Sequence, residues 1–181
     1  MRLFIAVSFT PEVCEKIYQR GQRYALMPWS TNLRWLSPTN YHMTLAFLDE
    51  YDLEQAEHHM TDLANRLESF KAFNMEQNGF RFLPSESRAR AFAMTFSQNP
   101  AMTALVTELN KCLPAAYKQP LSRFLPHVTL GRFRQGTQGE AIPFTQDAIP
   151  IKIRQISLYR SILGAKSARY ESLGYIDLAK A

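Results

Sequence analysis

One four-residue pattern occurs twice, as His42-Met43-Thr44-Leu45 and as His127-Val128-Thr129-Leu130, 85 residues apart in a chain of 181. Both copies lie in short apolar stretches that read as β-strands. Side chains alternate along a strand, so each His and its Thr share one face. Met43, Leu45, Val128 and Leu130 take the opposite face and anchor the two strands in a core. If a pseudo-twofold relates the halves, the polar faces meet across a groove, with two imidazoles flanked by two hydroxyls.

The remaining elements follow from periodicity and punctuation. Leu3 to Phe9 reads as a strand, and Thr10-Pro11 then opens a helix to about Leu26. A short extended piece at Leu33-Arg34-Trp35 and a strand from Tyr41 to Leu48 come next. Asp52 to Phe70 carries apolar residues at helical spacing. Phe73 to Phe82 and Ala91 to Phe96 read as strands, Pro100 to Leu113 as a helix, and His127 to Phe133 as a strand. Gly136 and Gly139 mark a loop. Ile151 to Tyr159 reads as one strand whose inward face switches midway, and Tyr170 to Leu178 as the last. The order β-α-β-β-α-β-β-α-β-β-β favours an α+β fold with antiparallel sheets over a doubly wound one. With no linker or low-complexity stretch between the halves, residues 1–181 are expected to form one domain.

The paired pattern suits displacement at phosphorus. Nucleophile and leaving group lie on opposite sides of the phosphorus, and each needs a proton moved. Histidine, with an ordinary pKa of about 6.5, can be base on one side and acid on the other. The Thr hydroxyls can donate to the non-bridging oxygens as charge gathers there. No third ligand of matching context accompanies the histidines, so neither a metal nor another cofactor is called for. His58 and His59, on a helix beside Glu54, Glu57 and Asp62, read as a solvent-facing pair for the same reason.

A net charge of +5 agrees with a polyanionic partner. No stretch is apolar for long enough to cross a membrane, and the expected location is the cytoplasm. Cys14 and Cys112, far apart and in no metal-binding spacing, are expected to be free thiols.

The sequence resembles the two-histidine (2H) phosphoesterase superfamily, and within it the bacterial RNA 2',3'-cyclic phosphodiesterases, also called 2'-5' RNA ligases. Four segments carry the resemblance: Arg2-Leu3-Phe4-Ile5-Ala6, Asn40-Tyr41-His42-Met43-Thr44-Leu45-Ala46-Phe47-Leu48, Pro126-His127-Val128-Thr129-Leu130-Gly131-Arg132, and Leu158-Tyr159-Arg160-Ser161. The resemblance implies two antiparallel sheets around a central groove, with helices outside. It further implies hydrolysis of a 2',3'-cyclic phosphate RNA end to a 2'-phosphate, and reversible 2'-5' ligation. His42 and His127 are then the catalytic pair, with His42 giving a proton to the leaving 3'-oxygen and His127 activating water. Thr44 and Thr129 are the phosphate-binding hydroxyls. One departure is Asp49, where the family usually has Gly, and it bears on the turn leaving the strand. Related substrates such as 2'-5' oligoadenylates or small cyclic nucleotides, or RNA-end binding without catalysis, remain open.

Three further residues are candidates for substrate contact. Arg132 suits a phosphate, but it lies five residues after His127 and so has the wrong parity for the His face. It reaches the groove only if the strand ends or bulges at Gly131. Phe4 and Tyr159 sit on strands that the resemblance places near the groove, where each would either stack on a base or pack in the core. Arg81, Arg88 and Arg90, interleaved with Phe80, Phe82 and Phe92, read as solvated arginines alternating with core aromatics, with an RNA groove as the alternative.

Overall fold

Three helices are started by the residues that the sequence marks for it. The computed structural model describes residues 1–137, 142, 148–164 and 168–180. Helix α1 (Pro11–Gln22) begins with Pro in its first turn after an extended Thr10. Asp52 caps α2 (Leu53–Arg66) by accepting from the Gln55 amide at 2.9 Å. Asn99 caps α3 (Pro100–Cys112) by accepting from the amides of Ala101 and Met102. Helix α1 stops four residues before Leu26 because the chain turns to bury Tyr24 among Trp29, Phe80 and Phe92. Leu26, which looks from its type like part of an apolar face, is left exposed.

Among the described residues, nine strands form two antiparallel sheets. The first sheet has the order β3 (His42–Glu50), β1 (Arg2–Ser8), β8 (Gln155–Leu163), β9 (Ala168–Asp177). The second runs β2 (Leu33–Trp35), β6 (His127–Thr137), β5 (Ala89–Phe96), β4 (Phe73–Leu83), β7 (Pro150–Ile153). Expectation and structure differ at residues 151–159, which form two strands in different sheets rather than one strand. The chain leaves the second sheet at Arg154 and enters the first at Gln155. Ile151 and Ile153 on β7, and Ile156 and Leu158, of opposite parity on β8, are therefore all buried in the same core. Strand β6 also runs through Gly136, which the sequence suggested was loop; Gly139 lies outside the described residues.

The two halves repeat one unit. β1–α1–β3 and β5–α3–β6 are each a strand, a helix and a strand paired antiparallel with the first. Ser8 stands opposite His42 and Ala6 opposite Thr44. In the second sheet Thr95 stands opposite His127 and Ala93 opposite Thr129. The apolar sides of both sheets and the buried faces of the helices contribute to a shared cluster that includes Ile5, Met43, Leu63, Phe92, Leu105 and Leu130.

Both units break register in the same place. Between Ala6/Thr44 and Ile5/Ala46 one residue is passed over, and the same happens between Ala93/Thr129 and Phe92/Gly131. Leu45 and Leu130 are the extra residues, and both are fully buried. Each bulge puts two successive buried residues after the Thr, and the next side chain then faces outward. That next residue is Phe47 on β3 and Arg132 on β6. Glycine is required at the second bulge for a steric reason. A Cβ on Gly131 would come within 2.7 Å of Leu33 side-chain atoms and 3.1 Å of the Arg34 carbonyl oxygen.

Candidate active site

Strands β3 and β6 lie against one another where the two sheets meet. There they line a groove of about 620 Å³, within the usual range for a small-ligand site. His42, Thr44, His127, Thr129 and Arg132 all line it. Pairwise alternation brings the first four to the same side, and the bulge after Thr129 adds Arg132, whose parity would otherwise aim it away.

The two histidines are held identically. His42 Nδ1 lies 2.7 Å from the carbonyl oxygen of Asn40, and His127 Nδ1 lies 2.8 Å from that of Leu125. A carbonyl only accepts, so each Nδ1 carries the hydrogen, and in the neutral ring Nε2 keeps its lone pair. The hydroxyls of Thr44 and Thr129 have no hydrogen-bond partner among the described residues and are available to a ligand.

Burial dominates the electrostatics. It pushes the His42 pKa down to about 4, with the nearby Arg132 and His127 adding to the fall and the Asn40 carbonyl opposing it. Burial also lowers His127, again with help from Arg132 and against the Leu125 carbonyl. Both rings are therefore neutral at neutral pH in the free protein. Aromatic packing accounts for much of the desolvation at His42. Phe4 lies behind it at 4.9 Å between ring centroids, and Tyr170 meets it edge-on at 5.0 Å.

The other candidates sort by depth. Phe4 touches the groove but is 4% exposed, wedged among His42, Tyr159 and Tyr170. Tyr159 stacks on Phe4 from behind, its hydroxyl directed to Ser157 and Ser8, and is not part of the groove wall. Both contribute to orienting His42. Of the three alternating arginines only Arg90 lines the groove, while Phe82 and Phe92 are buried, in line with the core reading of the aromatics. Phe80 stacks on Phe92. His58 pairs with Asp62 and His59 with Tyr51, away from the groove. Cys14 and Cys112 are free thiols. Among the described residues, no helix is long and apolar enough to cross a membrane.

Sequence reasoning missed several wall residues. Phe47 is 63% exposed and lines the groove with Asp49, Arg123 and Tyr170. The signal for Phe47 was present: it stands 85 residues before Arg132, the same offset that relates the two histidines.

The chain is similar in sequence and in fold to known proteins. The family described as "LigT like Phosphoesterase" matches residues 10–93. An RNA 2',3'-cyclic phosphodiesterase of Thermotoga maritima is 28% identical over 74% of this chain and 71% of its own length. A crystal structure of TT0787 of Thermus thermophilus superposes with a TM-score of 0.78 over 98% of both chains, at 22% identity. Escherichia coli LigT in complex with 3'-AMP superposes with a TM-score of 0.74 at 25% identity, covering 98% of this chain and 97% of that one.

Proposed function

We propose that this chain, one of the LigT-like phosphoesterases of the two-histidine superfamily, hydrolyses 2',3'-cyclic phosphate ends of RNA to 2'-phosphates without a metal ion. The observation that carries the reading is the matched pair of imidazoles, each with Nδ1 tied to the carbonyl two residues earlier and each lining the one groove. The name of the Thermotoga relative and the 3'-AMP complex of LigT support the substrate class.

In this mechanism His127 Nε2 takes a proton from water, whose oxygen forms the new bond to phosphorus. The bond from phosphorus to the 3'-oxygen breaks, and His42 protonates that oxygen. Thr44, Thr129 and Arg132 hold the non-bridging oxygens as negative charge builds. A 5'-hydroxyl entering in place of water would join two RNA ends through a 2'-5' linkage by the same proton transfers.

The acid has to acquire its proton, since a pKa of about 4 leaves His42 neutral at pH 7. Three units correspond to about 4 kcal/mol. A phosphate anion about 4 Å away, at an effective dielectric constant of about 20, supplies about the same amount. The substrate thus charges its own acid. It follows that kcat/KM, which reports the free protein, should lose its alkaline limb below the ordinary histidine value of 6.5. The limb in kcat should lie at higher pH, because the bound anion favours imidazolium. Initial rates across the acid and neutral range check both limbs. A kcat/KM limb at or above 6.5 would contradict the burial argument.

The activity itself is tested with an oligonucleotide ending in a 2',3'-cyclic phosphate, incubated with the protein in EDTA. The expected product is the 2'-phosphate. Binding without turnover would leave an RNA-end binding module, and turnover of other phosphodiesters only would move the substrate elsewhere.

A further inference from the structure

Asp49 has φ +52°, the left-handed backbone conformation that residues with a side chain adopt at a cost. Its place at the end of β3 reads from sequence as a matter of turn geometry, yet it lines the groove. Among the described residues there it is the one carboxylate, set against Arg2, Arg90, Arg123 and Arg132. No described residue forms a hydrogen bond or ion pair with it, and Arg2 is instead paired with Glu50. A conformational cost is thus borne by an acid that the protein leaves unpartnered beside four cations.

Two residues earlier on the same strand, Phe47 presents an exposed ring to the same groove, with Phe4 behind it at 6.3 Å. An exposed aromatic face in a nucleotide-sized groove offers a stacking platform for a base. A carboxylate accepts hydrogen bonds and donates none. A phosphate offers it nothing, so its complement on a nucleotide is a sugar hydroxyl or the donor edge of a base. Guanine alone of the four bases presents two N–H groups side by side, N1–H and the 2-amino group, spaced for the two oxygens of a carboxylate. Adenine and cytosine each offer one amino group, and uracil one imino hydrogen.

We infer that Asp49 is a specificity-determining residue, which reads the guanine of a terminal nucleotide stacked on Phe47. The inference rests on the reading of the groove as a cyclic phosphodiesterase site. Its test is kcat/KM for four oligonucleotides, alike except that the last nucleoside, which carries the 2',3'-cyclic phosphate, is guanosine, adenosine, cytidine or uridine. The guanosine substrate should be preferred over adenosine by about tenfold or more, the effect of hydrogen bonds to a charged acceptor. Asp49→Asn, which tolerates the same backbone, and Asp49→Gly, which favours it, should bring that ratio close to one. Asp49→Gly relieves backbone strain, so folding is not at issue. A protein without guanosine preference, or a preference that survives both substitutions, overturns the inference while leaving the phosphodiesterase reading intact. Failure to turn over any of the four substrates overturns both.

Discussion

His42→Ala and His127→Ala should each lower kcat/KM on a 2',3'-cyclic phosphate end by about 10²–10⁴-fold, the usual worth of one positioned acid or base. The two losses should not multiply in the double variant, because a base with no acid opposite, or an acid with no base, completes no displacement. Folding should survive, since both side chains face the groove and their strands are anchored by Met43, Leu45, Val128 and Leu130, all fully buried. Thermal unfolding of each variant checks that point, and single-turnover rates check the chemistry. Either alanine variant retaining a tenth of the activity would remove that histidine from the mechanism. The pH profiles add a role assignment. Loss of the general base abolishes the acid limb, and loss of the proton donor abolishes the alkaline one.

Arg132→Ala should cost about 10²–10³-fold in kcat, the effect of deleting one preorganised donor to a developing oxyanion. Arg132→Lys should recover only part of this, because an ammonium keeps the charge but loses the planar fork that fits two phosphate oxygens. A second readout separates charge from shape. Arg132 helps to hold both histidines below their ordinary pKa. Removing the cation should therefore raise both values and move the kcat/KM limbs to higher pH, and Lys should largely restore them. If Arg132→Ala leaves both rate and pH profile unchanged, the guanidinium does not face the reacting phosphate.

Much of the candidate site was legible before any fold was known. The His-x-Thr pairs, their strand context and their sheet faces follow from alternation, which depends only on neighbouring residues. The three helix starts at Thr10-Pro11, Asp52 and Asn99-Pro100 were equally local signals. Less of the ends was legible. Leu26 and Phe70 lie beyond their helices because burial of Tyr24 and the approach to β4 decide where those helices stop. The division at Arg154 was hinted at by the change of parity between Ile153 and Ile156. That the two pieces belong to different sheets was not.

The twin bulges mark the boundary between the two kinds of knowledge. Nothing in the strands' own residues states that Leu45 and Leu130 will be passed over in pairing. That depends on β1 and β5 as partners and, at Gly131, on the close approach of β2. Without the bulges Phe47 and Arg132 would turn into the core side of their sheets; with them, both line the groove. The amino-acid sequence by itself determined which groups could do the chemistry and that each His shares a face with its Thr, because backbone pleating is a property of one strand. Only the tertiary structure decided that the two faces meet, how far burial lowers the imidazole pKa values, and which rings and charges surround them. Pairing register and desolvation arise from residues distant in the chain.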